Sequence, residues 1–207
     1  MSIWTKICGI TRVSDAMDAL EAGADALGLN FVSESPRACG LDRAREITEA
    51  VGSRATVYGI FADLSRKAIA RVIEQTGVSG IQLHGSEKEE LSIGWSLPVI
   101  RAVQVRERVQ VEAAADMARR LSAHGAVRIL LDSPRGGGSG ERFDQEVVVL
   151  MDLSEMIVAG GLTPANVGDV ATRLRPFGVD TASGVETRPG IKDVNLMKEF
   201  INHARSA

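Results

Sequence analysis

Short apolar runs alternate along the chain with longer segments in which apolar residues recur every three or four positions. Runs of four to seven residues bounded by glycine or proline are typical of buried strands, and the longer segments are typical of amphipathic helices. The predicted strands are residues 3–8, 26–31, 55–61, 80–83, 98–103, 128–131, 156–159 and 178–182. A helix is predicted after each strand, so a strand–helix unit repeats eight times.

Several residues suit the ends of these helices. Ser65 is placed to cap the third helix, and Ser86 with Glu89 has the spacing of a capping box, which predicts a helix after the fourth strand. Thr163 and Pro164 suit the N-cap and first turn of the helix after strand seven. Other predicted helices are 41–51, 111–123, a short one after Asp144, and 193–204.

Alternating strands and helices indicate parallel pairing with right-handed crossovers. Eight units favour a closed (β/α)8 TIM barrel of the α/β class, with an open doubly wound sheet as the alternative. The chain has 207 residues, fewer than the roughly 250 typical of this barrel. We therefore expect short loops, no linker, and a single domain over residues 1–207.

Composition and motifs narrow the functional classes. A net charge of −3 and 44% hydrophobic residues fit one globular cytoplasmic domain and offer no basic surface for nucleic acid. No apolar run is long enough to span a membrane, and the chain enters a strand at once, unlike a signal peptide. The histidines and cysteines show no metal-ligand spacing, and we expect no disulfide. The glycine-rich stretch 136–140 matches no nucleotide-binding motif.

Glycines follow the last two predicted strands. Gly160 and Gly161 come after strand seven, and Ser183 and Gly184 come after strand eight. Free N–H groups at neighbouring strand ends and helix starts favour a phosphate dianion, and barrels of this kind often bind phosphate there. The alternative is that these glycines serve only the geometry of two turns.

The end of the first strand combines a thiol with a buried charge. Cys8 lies at the strand end, and Lys6 points the same way one layer deeper. A buried ammonium needs a partner, for which Asp180 is the candidate. We expect the charge of Lys6 to lower the pKa of the Cys8 thiol and make it a usable base. An inert buried cysteine is the alternative.

Other polar side chains lie at or after strand ends, where such barrels hold their chemistry. Asp132 follows an apolar run and suits a general acid, or simply an acceptor for loop amides. Arg37, on the loop after strand two, suits a bidentate grip on a carboxylate, unless it is a solvated surface residue. His84, two residues after Gln82, is either a pocket donor or a core histidine. Cys39 has no strand-end placement.

In combination these residues resemble the phosphoribosylanthranilate isomerase family. The resemblance runs from Lys6 to the last helix. The loop after strand two lacks the aromatic residue often found in the family, Gln145 stands where a tryptophan is frequent, and Thr181-Ala182 replaces small or serine residues. The matching segments, in the family's order, are 6–11, 35–37, 82–85, 130–133 with Phe143-Asp144, 159–162, 183–186 and 189–193.

The resemblance implies an intramolecular oxidoreductase of tryptophan biosynthesis that needs no metal or organic cofactor. It would convert N-(5-phosphoribosyl)anthranilate into 1-(2-carboxyphenylamino)-1-deoxyribulose 5-phosphate. Asp132 would be the general acid that opens the ribose ring, and Cys8 the general base that removes the C2 proton. Arg37 would hold the anthranilate carboxylate and the two glycine turns the phosphate. The implied substrate-binding set also contains Gln82, His84 and Asp180, and we expect a monomer or homodimer.

Two other readings stay open. One is another phosphosugar barrel, such as a sugar-phosphate epimerase or the isomerase shared between histidine and tryptophan synthesis. Histidine-pathway isomerases are associated with aspartates at the ends of strands one and five, whereas here strand one ends in Cys8 and residues 101–103 carry no acid. The other is a degenerate barrel that binds a phosphorylated ligand or partner without turnover. The presence of Cys8 and Asp132 argues against it, and a turnover assay would distinguish the two.

Overall fold

The computed structural model describes residues 2–105, 107–123, 127–132 and 152–207. Eight parallel strands form a closed barrel in chain order, each paired with the next and the first paired with the last. The predicted (β/α)8 barrel is therefore confirmed, and the open sheet is wrong. The strands are β1 Trp4–Cys8, β2 Ala26–Asn30, β3 Thr56–Phe61, β4 Gly80–Leu83, β5 Val99–Gln104, β6 Val127–Asp132, β7 Met156–Val158 and β8 Gly178–Thr181.

The part of the chain that the structure describes contains six α-helices. They are α1 Val13–Glu21, α2 Leu41–Val51, α3 Arg66–Thr76, α4 Arg108–Ser122, α5 Pro164–Leu174 and α6 Val194–Arg205. Ser65 caps α3, and Pro164 opens α5, as predicted. The Thr163 N–H donates to Asn166 Oδ1 at 2.8 Å at the start of α5. The helix predicted after Asp144 lies outside the described residues.

The connection between β4 and β5 differs from the prediction. It contains a 3-10 turn, Glu89–Ser92, where the sequence predicted an α-helix with a capping box. The capping box does not form because the Ser86 N–H donates to the loop after β3. The adjacent Glu87 turns inward instead, where its Oε2 accepts a hydrogen bond from Arg101 Nη1 at 3.0 Å.

A second difference follows β8. A 3-10 turn, Ser183–Val185, leads into an antiparallel hairpin made of β9 Glu186–Arg188 and β10 Ile191–Lys192. The sequence pattern predicted no strands in this segment. Gly190, with φ +78°, occupies the left-handed conformation that the hairpin turn requires. The hairpin brings side chains back to the mouth of the barrel.

The lower part of the barrel interior is a packed apolar layer. The rings of Tyr58 and Trp4 fill the space beside glycines of the neighbouring strands. A Cβ on Gly80 would lie 2.6 Å from Tyr58, and one on Gly178 would lie 2.7 Å from Trp4. This layer closes the barrel below and leaves polar side chains at the carboxyl ends of the strands. The cluster consists of Ala26, Tyr58, Ile100, Ala102, Leu130, Ile157 and Ala159, with Trp4 and Phe177 packed against it.

Candidate active site

A pocket of about 390 Å³ opens at the carboxyl ends of the strands. Its volume lies within the range usual for small-molecule sites. Nine of the ten predicted site residues line it, and Gly184, the tenth, directly follows Ser183. The nine are Cys8, Arg37, Gln82, His84, Asp132, Gly160, Gly161, Asp180 and Ser183.

Lys6 and Asp180 form an ion pair in the floor of this pocket. The pairing of β1 with β8 sets the two residues opposite each other, and Lys6 Nζ lies 2.9 Å from Asp180 Oδ1. Burial alone would lower the pKa of Lys6, but the attraction of Asp180 and then of Cys8 outweighs burial and raises the pKa. The predicted partner of the buried ammonium is therefore confirmed.

The Cys8 thiol is half-buried at the end of β1. A Cβ on Gly28 of β2 would lie 2.9 Å from Cys8 Sγ, so this glycine keeps the space around the sulfur open. Burial raises the pKa of Cys8, and the charges of Lys6 and Lys192 offset only part of that effect. Lys6 therefore lowers this pKa as expected, but the net shift is upward, because burial and the charge of Asp180 outweigh the contribution of the ammonium.

Three predicted residues form a chain of polar contacts between β4 and β6. Asp132 Oδ2 lies 3.2 Å from His84 Nε2, and His84 Nδ1 lies 3.1 Å from Gln82 Nε2. Asp132 and Gln82 are buried, whereas 26% of the His84 side chain is exposed. His84 is therefore a pocket-lining residue and not a closed-off core histidine.

Arg37 reaches the pocket from the loop after β2 and passes over the end of β1. A Cβ on Gly9 would lie 2.5 Å from Arg37 Cδ, and Gly9 has φ +74°, so glycine suits this crossing on both counts. Arg37 Nε and Nη2 donate to the two carboxylate oxygens of Glu186 at 2.9 and 2.7 Å. The guanidinium is thus buried and bidentate, but the carboxylate that it grips belongs to the protein.

The sequence pattern predicted no role for Glu186 or Lys192. Lys192 Nζ donates to Glu186 Oε1 at 2.8 Å and to the Ala182 carbonyl oxygen at 2.9 Å. Burial alone would raise the pKa of Glu186, but the hydrogen bond from Arg37 and the charge of Lys192 lower it. Pro189-Gly190 between two short segments is a hairpin signal that would have placed Lys192 beside Glu186.

The two glycine turns lie against each other above β7 and β8. Gly160 and Gly161 have φ values of +90° and +65°, a conformation that favours glycine. Thr181 Oγ1 donates to the Leu162 carbonyl oxygen at 2.7 Å. A Cβ on Gly184 would overlap that same oxygen. The two turns are neighbours, as the sequence predicted, but the second leads into a 3-10 turn and not into a helix.

Among the described residues, no three His, Cys, Asp or Glu side chains are grouped as metal ligands would be. None of the helices that the structure describes is long and apolar enough to cross a bilayer. The stretch 136–140 and the Phe143-Asp144 motif lie outside the described residues.

Comparison with known proteins supplies the family. Residues 5–203 match the family model described as N-(5'phosphoribosyl)anthranilate (PRA) isomerase. This chain belongs to the PRA isomerase family. The N-(5'-phosphoribosyl)anthranilate isomerase of Myxococcus xanthus is 40% identical over 210 residues, which cover 100% of this chain and 98% of the relative.

Solved structures of PRA isomerases share the barrel. The enzyme from Thermotoga maritima superposes with a TM-score of 0.88 at 34% identity, covering 99% of this chain and 100% of that chain. Another PRA isomerase, solved in complex with reduced 1-(o-carboxyphenylamino)-1-deoxyribulose 5-phosphate, gives a TM-score of 0.85 at 33% identity, with 99% and 100% covered. The family resemblance predicted from the sequence is confirmed.

Proposed function

We propose that this protein is an isomerase of tryptophan biosynthesis that converts N-(5'-phosphoribosyl)anthranilate into 1-(2-carboxyphenylamino)-1-deoxyribulose 5-phosphate. The observation that carries the proposal is that Cys8 and Asp132, on β1 and β6, line one pocket in a chain of the PRA isomerase family. The reaction oxidises C2 of the ribose while it reduces C1. The electrons stay within the substrate, so the proposal includes no metal and no organic cofactor.

Asp132 acts first, as the general acid. Its carboxyl proton passes to the ring oxygen of the ribose, the bond from that oxygen to C1 breaks, and the lone pair of the anthranilate nitrogen forms a Schiff base with C1. His84 Nε2, 3.2 Å from Asp132 Oδ2, holds the carboxyl group in place. General acid–base groups of this kind typically contribute about 10²–10⁴-fold to the rate.

Cys8 acts second, as the general base. Its thiolate takes the proton from C2, the C–H electrons form the C1=C2 bond, and the Schiff-base electrons return to nitrogen. The resulting enolamine becomes the ketone when C1 gains a proton and the C2 hydroxyl loses one, so the overall reaction is an isomerisation. Lys6 and Lys192 offset part of the cost of forming the thiolate.

The binding contacts divide between the two ends of the substrate. The turns at Gly160-Gly161 and Ser183-Gly184, with the N-terminus of α5, bind the 5'-phosphate through backbone N–H groups. Because Glu186 occupies the Nε–Nη2 edge of Arg37, the anthranilate carboxylate binds at the Nη1–Nη2 edge. The proposed substrate-binding set also includes Gln82, His84 and Asp180. A cytoplasmic location and a monomeric or homodimeric state belong to the same proposal.

A fluorescence assay tests this function. Phosphoribosylanthranilate made in situ loses its fluorescence as it is converted, and the wild-type protein should cause that loss. Cys8→Ser and Asp132→Asn should each slow it at least about 100-fold and still bind the product. Cys39→Ala, a change of the second cysteine, is the matched control and should keep its activity. Wild-type protein that binds without converting would favour the degenerate barrel, and full activity in either variant would remove that residue from the mechanism.

A further inference from the structure

Only one end of the Gln82 side-chain amide makes a hydrogen bond to a described residue. Gln82 lies near the end of β4 and is only 1% exposed. Its Nε2 lies 3.1 Å from His84 Nδ1. Its Oε1 is also buried, and it has no hydrogen-bond partner among the residues that the structure describes. A buried acceptor without a partner is costly. The amide is thus placed to exchange its two ends against one ring nitrogen.

Each orientation of this amide fits a different number of protons on His84 and Asp132 together. When Nε2 of Gln82 donates to Nδ1, the proton of the neutral imidazole sits on Nε2 and is donated to Asp132, 3.2 Å away. That arrangement fits an ionised Asp132 beside a neutral His84. After a half-turn, Oε1 faces Nδ1 and accepts from an Nδ1–H group. That arrangement fits one additional proton, either on Asp132, which then donates to Nε2, or on the ring as imidazolium.

We propose that Gln82 is a positioning residue whose amide turns with the proton that Asp132 and His84 share. When Asp132 and His84 hold the additional proton, the amide accepts a hydrogen bond from His84. Once that proton has passed to the substrate, the amide donates a hydrogen bond to His84. No other heavy atom has to move, because the terminal amide torsion is soft. The inference rests on the proposed function, in which Asp132 gives a proton to the ring oxygen and later regains one.

Among the residues that the structure describes, charged groups near the pair come from neighbouring strands. Asp180 on β8 interacts electrostatically with both Asp132 and His84. Its own partner is Lys6 on β1, at 2.9 Å, and Cys8 lies at the end of that strand. These groups are the same in every variant of Gln82. A difference between the variants therefore reports on the amide.

Nuclear magnetic resonance of the ligand-free protein tests the proposal. With 15N-labelled histidine, the two ring nitrogens of His84 are followed against pH in wild-type protein, Gln82→Glu and Gln82→Met, and His84→Asn assigns the signals. Glutamate as a carboxylate only accepts, so the midpoint at which the pair loses its proton should move about one unit to higher pH. Methionine neither accepts from Nδ1–H nor donates to Nδ1. It therefore removes one hydrogen bond from each protonation state, and the midpoint should stay close to the wild-type value. Above the wild-type midpoint, the proton should reside on Nε2.

Two controls separate this effect from general damage. The signals of His203, whose Nδ1 lies 2.8 Å from the Pro164 carbonyl oxygen, should be unchanged in all variants. Gln75→Met, the same substitution at an exposed position of α3, should leave the His84 titration as in wild type. In turnover, Gln82→Met should lower kcat about tenfold, whatever the change in KM from the proposed substrate contact of Gln82.

The outcomes are decisive in both directions. A midpoint that stays fixed in Gln82→Glu, or that moves to higher pH in both Gln82 variants as an amide that only donates would require, would overturn the proposal. A neutral His84 with its proton on Nδ1 above the midpoint would also overturn it. If Gln82→Met does not fold, the wild-type titration and Gln82→Glu still decide. The titration needs no substrate. A raised midpoint in Gln82→Glu with an unshifted one in Gln82→Met, but no turnover by the wild-type protein, would therefore refute the proposed function alone.

Discussion

Burial and nearby cations have opposing effects on the pKa of the Cys8 thiol. Burial raises its pKa, and each cation nearby is already engaged, Lys6 by Asp180 at 2.9 Å and Lys192 by Glu186 at 2.8 Å. The thiolate is therefore a minor form at neutral pH, and a strong base when it forms. Sequence spacing predicts that Lys6 lies near Cys8, but the degree to which a partner compensates its charge is visible only in the folded structure.

Alkylation measures this property of Cys8 directly. Only the thiolate reacts, so we expect the rate of Cys8 labelling by iodoacetamide to keep rising as the pH passes the ordinary thiol pKa of 9.0. The measurement uses Cys39→Ala protein and mass spectrometry. Burial raises the pKa of Cys39 to about 11, so Cys8→Ser protein provides a slow reference. A Cys8 rate that levels off below pH 8 would contradict the raised pKa, and saturating product should shield Cys8.

At the scale of single elements, the strands were predictable and two connections were not. Apolar runs and their bounding glycines placed all eight strands to within two residues, because burial on both faces leaves a local pattern. Strand ends in turn placed Cys8 and Asp132. The sequence did not predict the 3-10 turn after β4, because it depends on a contact between Glu87 and Arg101, 14 positions apart. It did not predict the partner of Arg37 either, because Glu186 lies 149 positions away along the chain.

Contact between the two glycine turns gives an element-scale prediction. Gly184 has no left-handed φ, but an added Cβ would overlap the Leu162 carbonyl oxygen, so Gly184→Ala must push the turns apart. We expect KM for the phosphate-bearing substrate to rise on the order of tenfold, with a smaller change in kcat, because phosphate binding is common to ground and transition states. Steady-state kinetics of the purified variant measure both constants.

Gly40 offers a matched control for this substitution. It precedes α2, has no left-handed φ, and a Cβ there would meet nothing within 4 Å. Gly40→Ala should therefore leave KM near the wild-type value. If Gly184→Ala did the same, the contact between the turns would not shape the phosphate site.

At the scale of the whole molecule, a polar cluster joins the first and last units of the barrel. β1 pairs with β8 through the backbone, and above that seam Arg37, Glu186 and Lys192 link the loop after β2 to the hairpin after β8. The Lys192 N–H also donates to Asp15 Oδ2 in α1 at 3.1 Å. The cluster therefore supports barrel closure and holds Arg37 at the pocket in the same set of contacts.

The charge of Glu186 makes this support depend on pH. Its pKa is lowered in the folded protein, by Arg37 and Lys192 acting against burial, relative to about 4.3 in an unfolded chain. A lowered carboxyl pKa stabilises the fold fully above the unfolded value, and this stabilisation is lost as the pH falls through the folded value. Replacing Glu186 leaves Arg37 and Lys192 without their shared carboxylate at every pH.

Thermal unfolding of Glu186→Gln and wild-type protein between pH 7 and pH 3 tests this dependence. We expect the variant to unfold on the order of 5 °C lower at pH 7, because one partner of a buried ionic cluster is gone. The difference should shrink below about pH 4, since protonation of Glu186 then imposes the same loss on the wild type. Glu46→Gln, which removes an exposed pair with Arg43 at 2.7 Å, is the control and should change little at any pH. A difference between Glu186→Gln and wild type that stays constant down to pH 3 would show that the ionisation of Glu186 does not stabilise the barrel, and the cluster would then act through packing alone.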